Sequence, residues 1–406
     1  MKILVQKYGG TSVATPEQRE LVVAKIREAI DLGYEVVVVV SAMGRYGAPY
    51  ATDTLISLAK EIYPEPCPRE LDLLMMCGEI ISTVVLAQTL RRHGIEAKAF
   101  TGGQAGIITD CHFGGARIIE VKPQRILDAL KLKKVAVVAG FQGITKEFEA
   151  TTLGRGGSDT TATALGVALR AEAVEIYTDV NGVMTTDPHL VPQAKPLKVM
   201  TYSELCEMAH LGAKVIHPRA VEIAMNGRIP IRIKSVFSEG AGTLICDQLP
   251  SADMEIKTDK MITGLAYIPE LAQFNLFCPQ DVNTSGKALE VFNLLAEAGI
   301  SLDMIQVSPQ RITFTVKEAL FDRTTAILEE TGLEFKGAKG FAKVSIVGAA
   351  MRGVPGVMAR VVNGLYKANV LLFQTTDSHT NIGCLVRQED MTRALKALHD
   401  EFGLGE

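Results

Sequence analysis

Apolar residues along this chain are written in two different rhythms. Up to about residue 245, short unbroken apolar runs alternate with longer segments whose apolar positions recur every three or four residues. The runs at 3–6, 35–40, 135–139 and 174–178 predict buried strands. The segments 16–32, 71–93 and 159–171 predict helices, the first opened by Thr15 as N-cap with Pro16 at the first helical position. Continuous Val/Ile strands separated by helices indicate an α/β fold, a doubly wound and mostly parallel sheet. In such sheets ligands bind beyond the carboxyl ends of the strands. Those ends carry Gly9-Gly10, Ser41, Gly140 and Asp179.

Beyond a polar stretch from 246 to 260 the rhythm shortens to strand–helix–strand–strand–helix units, and these units repeat. The segment 291–298 aligns without gaps to 361–368, with identities Val291/Val361, Asn293/Asn363, Leu295/Leu365 and Ala298/Ala368 at a constant offset of 70 residues. Each helix precedes a strand (302–307 or 371–375), then a second strand (311–316 or 382–386) and a helix. Two tandem ferredoxin-like modules account for this order. The expected division is a first domain at 1–245, a linker at 246–262, and modules at 263–336 and 337–406.

Bulk properties narrow the partners. A net charge of -4 over 406 residues carries no polyelectrolyte signal, so nucleic acid and anionic membrane are not expected partners. The apolar run at 3–5 is too short for a leader, and 36–40 is a strand's length, far below the roughly 20 residues that span a bilayer. The seven cysteines are scattered with no C-x-x-C pair, which fits thiols in a reducing cytoplasm better than a metal site.

Three loops carry candidate chemistry. Lys7-Tyr8-Gly9-Gly10-Thr11-Ser12 lies between a strand and a helix; its glycines let backbone N–H groups approach an anion, and Lys7 adds a point charge. The same residues also suit a tight turn, and they are not the G-x-x-x-x-G-K-[ST] phosphate loop. Thr152-Leu153-Gly154-Arg155-Gly156-Gly157-Ser158-Asp159 places an arginine among glycines, where its fork can hold a carboxylate or phosphate. Asp159 there is equally a helix cap or dipole partner. The stretch 178–188 follows a strand, with Asn181-Gly182 as a turn. His210 and His217 read as structural, and Val357, Val361 and Leu365 as a buried helix face.

These loops, together with Ser41-Ala42-Met43-Gly44, Cys77-Gly78-Glu79, Thr101-Gly102-Gly103-Gln104-Ala105-Gly106, Gly140-Phe141-Gln142-Gly143 and Gly212-Ala213-Lys214-Val215-Ile216-His217-Pro218, resemble the aspartate kinases of the amino-acid kinase superfamily in order and spacing along essentially the whole chain. The C-terminal repeats resemble that family's paired ACT modules. The resemblance implies ATP-dependent phosphorylation of the side-chain carboxylate of L-aspartate in the cytoplasm. It implies Lys7 against the transferring phosphoryl group, Glu79 for the substrate ammonium, Arg155 for its α-carboxylate and Asp159 as a second acid. Ser41 and Thr52 would help seat the substrate. Thr178, Asp179 and Lys214 would hold nucleotide, with Gly9 and Gly10 at the phosphates. Mg2+ is expected with the ATP, carried by phosphate oxygens and water, without a protein metal cage. Two positions depart from the family's pattern: Met184 where many members have Tyr, and His189 where Arg follows the Asp-Pro pair.

The paired modules imply a homodimer and an amino-acid effector. Gly353, Val354, Pro355, Gly356 and Val357 begin a helix whose free N–H groups suit an effector carboxylate, and Asp377 and Ser378 suit its ammonium. The first module has Asn283-Thr284-Ser285-Gly286 instead, so unequal pockets are expected. The 374–380 stretch is more similar to the meso-diaminopimelate-responsive branch than to the lysine–threonine branch; lysine and then threonine are the other candidates. Two rivals remain open: another kinase of the superfamily, which would lack the Glu79–Arg155 pair and the modules, and a non-catalytic amino-acid sensor, which would have lost Lys7 or Asp159.

Overall fold

The computed structural model describes residues 1–213, 215–247, 261–279, 283–348, 351 and 354–405. These form two compact units. The first holds Met1–Val183, Pro196–Ala209 and the described residues 215–247; the second holds Met184–Lys195, His210–Ala213 and the described residues from 261 on.

The first unit is built on an eight-stranded sheet. Its order is Val199–Met200, Thr243–Ile245, Ile231–Ser235, Ala173–Thr178, Ile3–Tyr8, Glu35–Val40, Val135–Ala139 and Ala97–Phe100. Ile3–Tyr8 pairs in parallel with Glu35–Val40 on one side and Ala173–Thr178 on the other. Among the described pairings only Thr243–Ile245 against Ile231–Ser235 is antiparallel in this sheet. Val36 to Val40 are all buried, as a strand covered on both faces requires. Parallel pairing brings Lys7, Val40, Ala139 and Thr178 to one edge of the sheet, the edge predicted for ligand.

Helix starts follow the local signals. Pro16–Asp31 opens with a full capping box: Gln18 N–H donates to Thr15 Oγ1 at 3.3 Å, and Thr15 N–H to Gln18 Oε1 at 3.1 Å. Pro68–Arg92 is apolar and long enough to cross a membrane by composition alone, but half of its most apolar stretch is buried in the protein, the pattern of a core helix. Its buried face includes Asp72, Met75, Met76, Glu79, Leu86 and Leu90, at three- and four-residue spacing. A small second sheet, Ile118–Val121, Ile107–Thr109, Gln142–Ile144 and Ala150–Thr152, delivers the chain to the Arg155 loop. Its strands are three or four residues long, too short for their alternation to stand out in sequence.

The second unit is a six-stranded antiparallel sheet ordered Asp303–Ser308, Arg311–Lys317, Gly264–Phe277, Glu334–Val347, Asn381–Arg387, Gln374–Asp377. The boundary expected at 336/337 falls inside the strand Glu334–Val347. Gly264–Phe277 and Glu334–Val347 are 14 residues each and serve both modules. Residues 264–268 pair with 343–347 in the second module's half, and 273–277 with 334–338 in the first. Accordingly Leu265 packs with Val344, Val361 and Leu395, whereas Phe274 packs with Val291 and Phe314. The first module is thus nested inside the second. Alternation along a strand reports its two faces but not where the chain crosses from one core to the next.

A further departure from the expected 1–245 domain is Met184–Lys195, which groups with the second unit. Val191 joins the second module's core, Leu265 N–H donates to Thr185 O at 2.7 Å, and Tyr267 OH donates to Asp187 Oδ2 at 2.9 Å. Thr185 Oγ1 lies 3.1 Å from His399 Nε2.

Candidate active site

At the carboxyl edge of the parallel sheet, polar groups from five segments make one connected run. Lys7, the penultimate residue of Ile3–Tyr8, reaches Asp159 Oδ1 at 2.7 Å, and both side chains are largely buried. Asp159 stands in the first turn of the helix Gly157–Leu169, where a negative charge is favoured by the helix dipole. The cap position is filled by Gly156, in a left-handed conformation and with no side-chain cap, so Asp159 is turned to Lys7 rather than spent on capping. The preceding residue, Ser158, shares a 2.9 Å hydrogen bond with Ser41 between their Oγ atoms. The residue after Ser41 continues the run: Ala42 N–H donates to Glu79 Oε1 at 3.2 Å. Thr52, the first residue of the helix Thr52–Ile62, donates its hydroxyl to the same oxygen at 3.4 Å.

Glu79 is the anomalous group. It is 2% exposed, and its Oε2 is buried with no hydrogen-bond partner. Burial pushes its carboxyl up to about 8, although the donors at Ala42 and Thr52 pull the other way. A buried acid with one satisfied and one orphaned oxygen can accept a hydrogen bond from a cationic donor.

Glycine makes the surrounding turns possible. A Cβ on Gly10 would stand 2.4 Å from Ala42 O, and Gly44 N–H donates to Gly10 O at 3.0 Å, so the Lys7 and Ser41 loops clasp backbone to backbone. Arg155 is exposed between Gly154 and Gly156, at φ +72 and +67. A Cβ on Gly156 would also fall 2.1 Å from His217 Cβ, which gives His217 a packing role.

Thr178 and Asp179 leave the end of Ala173–Thr178; Thr178 Oγ1 donates to Asp179 Oδ1 at 3.1 Å, and Arg45 Nη2 lies 3.4 Å from Asp179 Oδ2. His189 is exposed and engaged with Asp187, its backbone N–H donating at 2.9 Å and its Nδ1 lying 3.0 Å away. Met184 is part-exposed. Lys214 lies outside the described residues.

In the second module the two halves of the expected effector site meet. Val354, Gly356, Val357, Asp377 and Ser378 line one cavity of about 490 Å³. Gly353 lies outside the described residues. The helix Val357–Lys367 starts after Gly356, at φ +92, with no side-chain cap.

Sequence reading missed the connecting groups: Ser158, the Ala42 N–H, Arg45 and the buried Asp72. Only Asp72 left a trace, an acid inside an apolar helical stretch seven residues before Glu79.

Residues 2–235 match the family model described as the amino acid kinase family, and residues 344–402 match an ACT domain. The chain is similar to aspartokinase 1 of Bacillus subtilis (strain 168), 46% identical over 404 residues and covering 100% of each chain. It is 42% identical to an aspartokinase of Thermus thermophilus over 415 residues, 100% of this chain and 99% of that one. Among solved structures it is similar to E. coli aspartokinase III in complex with aspartate and ADP in the R-state, with TM-score 0.79 and 26% identity over 98% of this chain and 99% of that chain. The T-state of that enzyme, in complex with lysine and aspartate, gives TM-score 0.76 and 27% identity over 99% of this chain and 100% of that chain.

Proposed function

The chain belongs to the amino acid kinase family, within it to the aspartokinases, and we propose that the side chains described above seat aspartate and ATP for phosphoryl transfer between them. The reaction converts L-aspartate to 4-phospho-L-aspartate at the expense of ATP, opening the route to lysine and diaminopimelate, threonine and methionine, under feedback control.

One observation carries the reading: the run Lys7–Asp159, Ser158–Ser41, Ala42–Glu79 ends on an unpartnered buried oxygen. Glu79 Oε2 takes the substrate ammonium, and Arg155 takes the α-carboxylate in a bidentate fork. Thr52 and Ser41 hold the substrate between them. The side-chain carboxylate, with a reference pKa of about 3.9, is ionised at neutral pH and needs no general base. One of its oxygens attacks the γ-phosphorus; the bond to the β–γ bridging oxygen breaks, and ADP leaves with that electron pair. The barrier is the approach of two anions, so positioning and charge neutralisation dominate. Lys7 exchanges part of its contact with Asp159 for the transferring phosphoryl oxygens. Gly9 and Gly10 bring N–H groups to the phosphates, while Thr178, Asp179 and Lys214 hold the nucleotide.

Mg2+ enters with ATP. Asp159 and Asp179 are already engaged, with Lys7 and Arg45. That donor set fits a cation carried mainly by phosphate oxygens and water, whose charge offsets that of the phosphates. The cytoplasm, with its ATP and reducing conditions, is the expected location.

The second module's cavity is the effector site. The uncapped start of Val357–Lys367 receives a carboxylate, and Asp377 with Ser378 receives an ammonium. Lysine and meso-diaminopimelate both offer that pair of groups plus a second amine. Met358, Val362 and Tyr366 form an exposed apolar row along the same helix, which supports a homodimer through these modules.

The test is ADP release with a panel of amino acids, combined with hydroxylamine trapping of the acyl phosphate. Aspartate alone should support turnover. Turnover with glutamate, or none with any amino acid, would overturn the assignment.

A further inference from the structure

Asp72 is fully buried on the helix Pro68–Arg92, yet no part of the reaction described above uses it. Both its oxygens accept only from donors. Gly114 N–H is shared between Oδ1 at 3.0 Å and Oδ2 at 2.9 Å; Thr152 N–H reaches Oδ2 at 2.8 Å and the Thr152 hydroxyl reaches Oδ1 at 2.7 Å.

The placement of these partners is what matters. Asp72 and Glu79 are seven residues apart on one helix, so they share a face about 10 Å apart along the axis. Thr152 is the last residue of the strand Ala150–Thr152 and stands three residues before Arg155. Gly114 O would lie 3.3 Å from a Cβ on Gly154, the residue before Arg155. The intervening Leu153 is held as well: its N–H donates to Phe141 O at 2.8 Å, and its carbonyl accepts from Arg219 Nη1 at 3.1 Å.

We propose that Asp72 is a positioning residue that ties the helix bearing the ammonium receptor Glu79 to the loop bearing the carboxylate receptor Arg155, and so sets the span of the amino-acid clamp. This rests on the proposed roles of Glu79 and Arg155. It gives Asp72 a specificity function: aspartate presents its ammonium and α-carboxylate at a fixed separation, and the brace holds the two receptors to that separation. ATP does not use this span.

The hydrogen-bond pattern dictates the variants. Asp72→Ala removes every acceptor. Asp72→Asn, with its amide oxygen in place of Oδ2, still accepts from Gly114 and Thr152 N–H, while the Thr152 hydroxyl turns to accept from the new amide. The expected result for Asp72→Ala is a KM for aspartate raised on the order of tenfold, with the KM for ATP within about twofold. Asp72→Asn should restore the aspartate KM to within about threefold. In a Thr152→Val background, Asp72→Asn should lose that rescue, because its amide then lacks an acceptor; this pair carries the test if Asp72→Ala does not fold. Equal rises in both KM values, or an Asp72→Asn variant as impaired as Asp72→Ala with Thr152 present, would overturn the proposal. Glu79→Gln and Arg155→Ala run alongside: if neither raises the KM for aspartate, the clamp reading itself has failed, whereas if both do and Asp72→Ala does not, only the brace has.

Discussion

The two proposed ligand sites differ in what their polar groups do before a ligand arrives. In the first unit they are committed to one another: Lys7 to Asp159, Ser41 to Ser158, Ala42 and Thr52 to Glu79. Among these groups one buried oxygen, Glu79 Oε2, is left over. In the second module less is committed. Asp377 is exposed at a cavity of about 490 Å³ and the helix beside it starts without a side-chain cap. Ser378 Oγ accepts from Thr380 N–H at 3.3 Å and Asn381 N–H at 3.1 Å. The first module shows how the same turn can be closed: Asn283 accepts from Ser285 N–H at 3.1 Å and Gly286 N–H at 3.3 Å. A site whose chemistry must run in one geometry is pre-assembled, because reorganisation at the moment of reaction would raise the barrier. A sensor leaves its donors to water and lets the ligand satisfy them.

Breaking the committed run at its charged end should have the largest effect. Lys7→Ala removes the cation from a water-poor site, and turnover should fall by a factor on the order of 10² or more. Near-normal turnover in the folded variant would refute the role given to Lys7.

The leftover oxygen comes next. Glu79→Gln should raise the KM for aspartate on the order of tenfold, and more than that for ATP, because a charge–charge contact becomes a neutral one. The role proposed for Glu79 also predicts a pH dependence of wild-type binding. A carboxyl pushed up to about 8 by burial favours the protonated form in the empty site at pH 7, and pairing it with an ammonium releases that proton. The KM for aspartate should therefore fall as pH rises toward 8, by at most about tenfold per unit, and Glu79→Gln should flatten the slope. A KM for aspartate that is flat between pH 6.5 and 8, or that rises, contradicts the proton-release scheme.

On the uncommitted side, Asp377→Ala should raise the lysine or diaminopimelate concentration needed for half-inhibition several-fold, through loss of one charge-assisted contact. If lysine, threonine and diaminopimelate leave activity unchanged, alone and in pairs, the modules serve dimerisation only. Smallest of all is the first module's closed turn. Asn283→Ala strips a helix cap and should cost about 1 kcal/mol of stability without creating an inhibitor response. A new response would mean that the cap alone had kept a second effector site shut.

Much of this architecture can be read locally. The run at 35–40 names its own strand because a stretch of valines survives only when covered on both faces. Thr15 and Gln18 announce a helix start because both halves of the capping box lie within one turn. The Gly10 turn is legible because only glycine tolerates such backbone contact, and Gly156 because glycine favours its left-handed φ of +67. The partners of Asp72 were hidden by the same locality: Gly114 and Thr152 are 42 and 80 residues away. The unusual chemistry of Glu79 is equally invisible in one dimension, since it comes from burial rather than from a neighbour in the chain.

Residue type and spacing alone determined the parallel sheet, the strand-end loops and the repeat at 70 residues, because each depends on contacts within a turn, a strand or a recurring unit. Only the tertiary structure decided the nesting of one module within the other, and the grouping of Met184–Lys195 with the second unit. It also decided which acid would be buried with an unpartnered oxygen. These depend on which distant surfaces meet. A strand of period two presents the same faces to any partner, and a carboxylate in a helix carries no mark of the solvent it will lose.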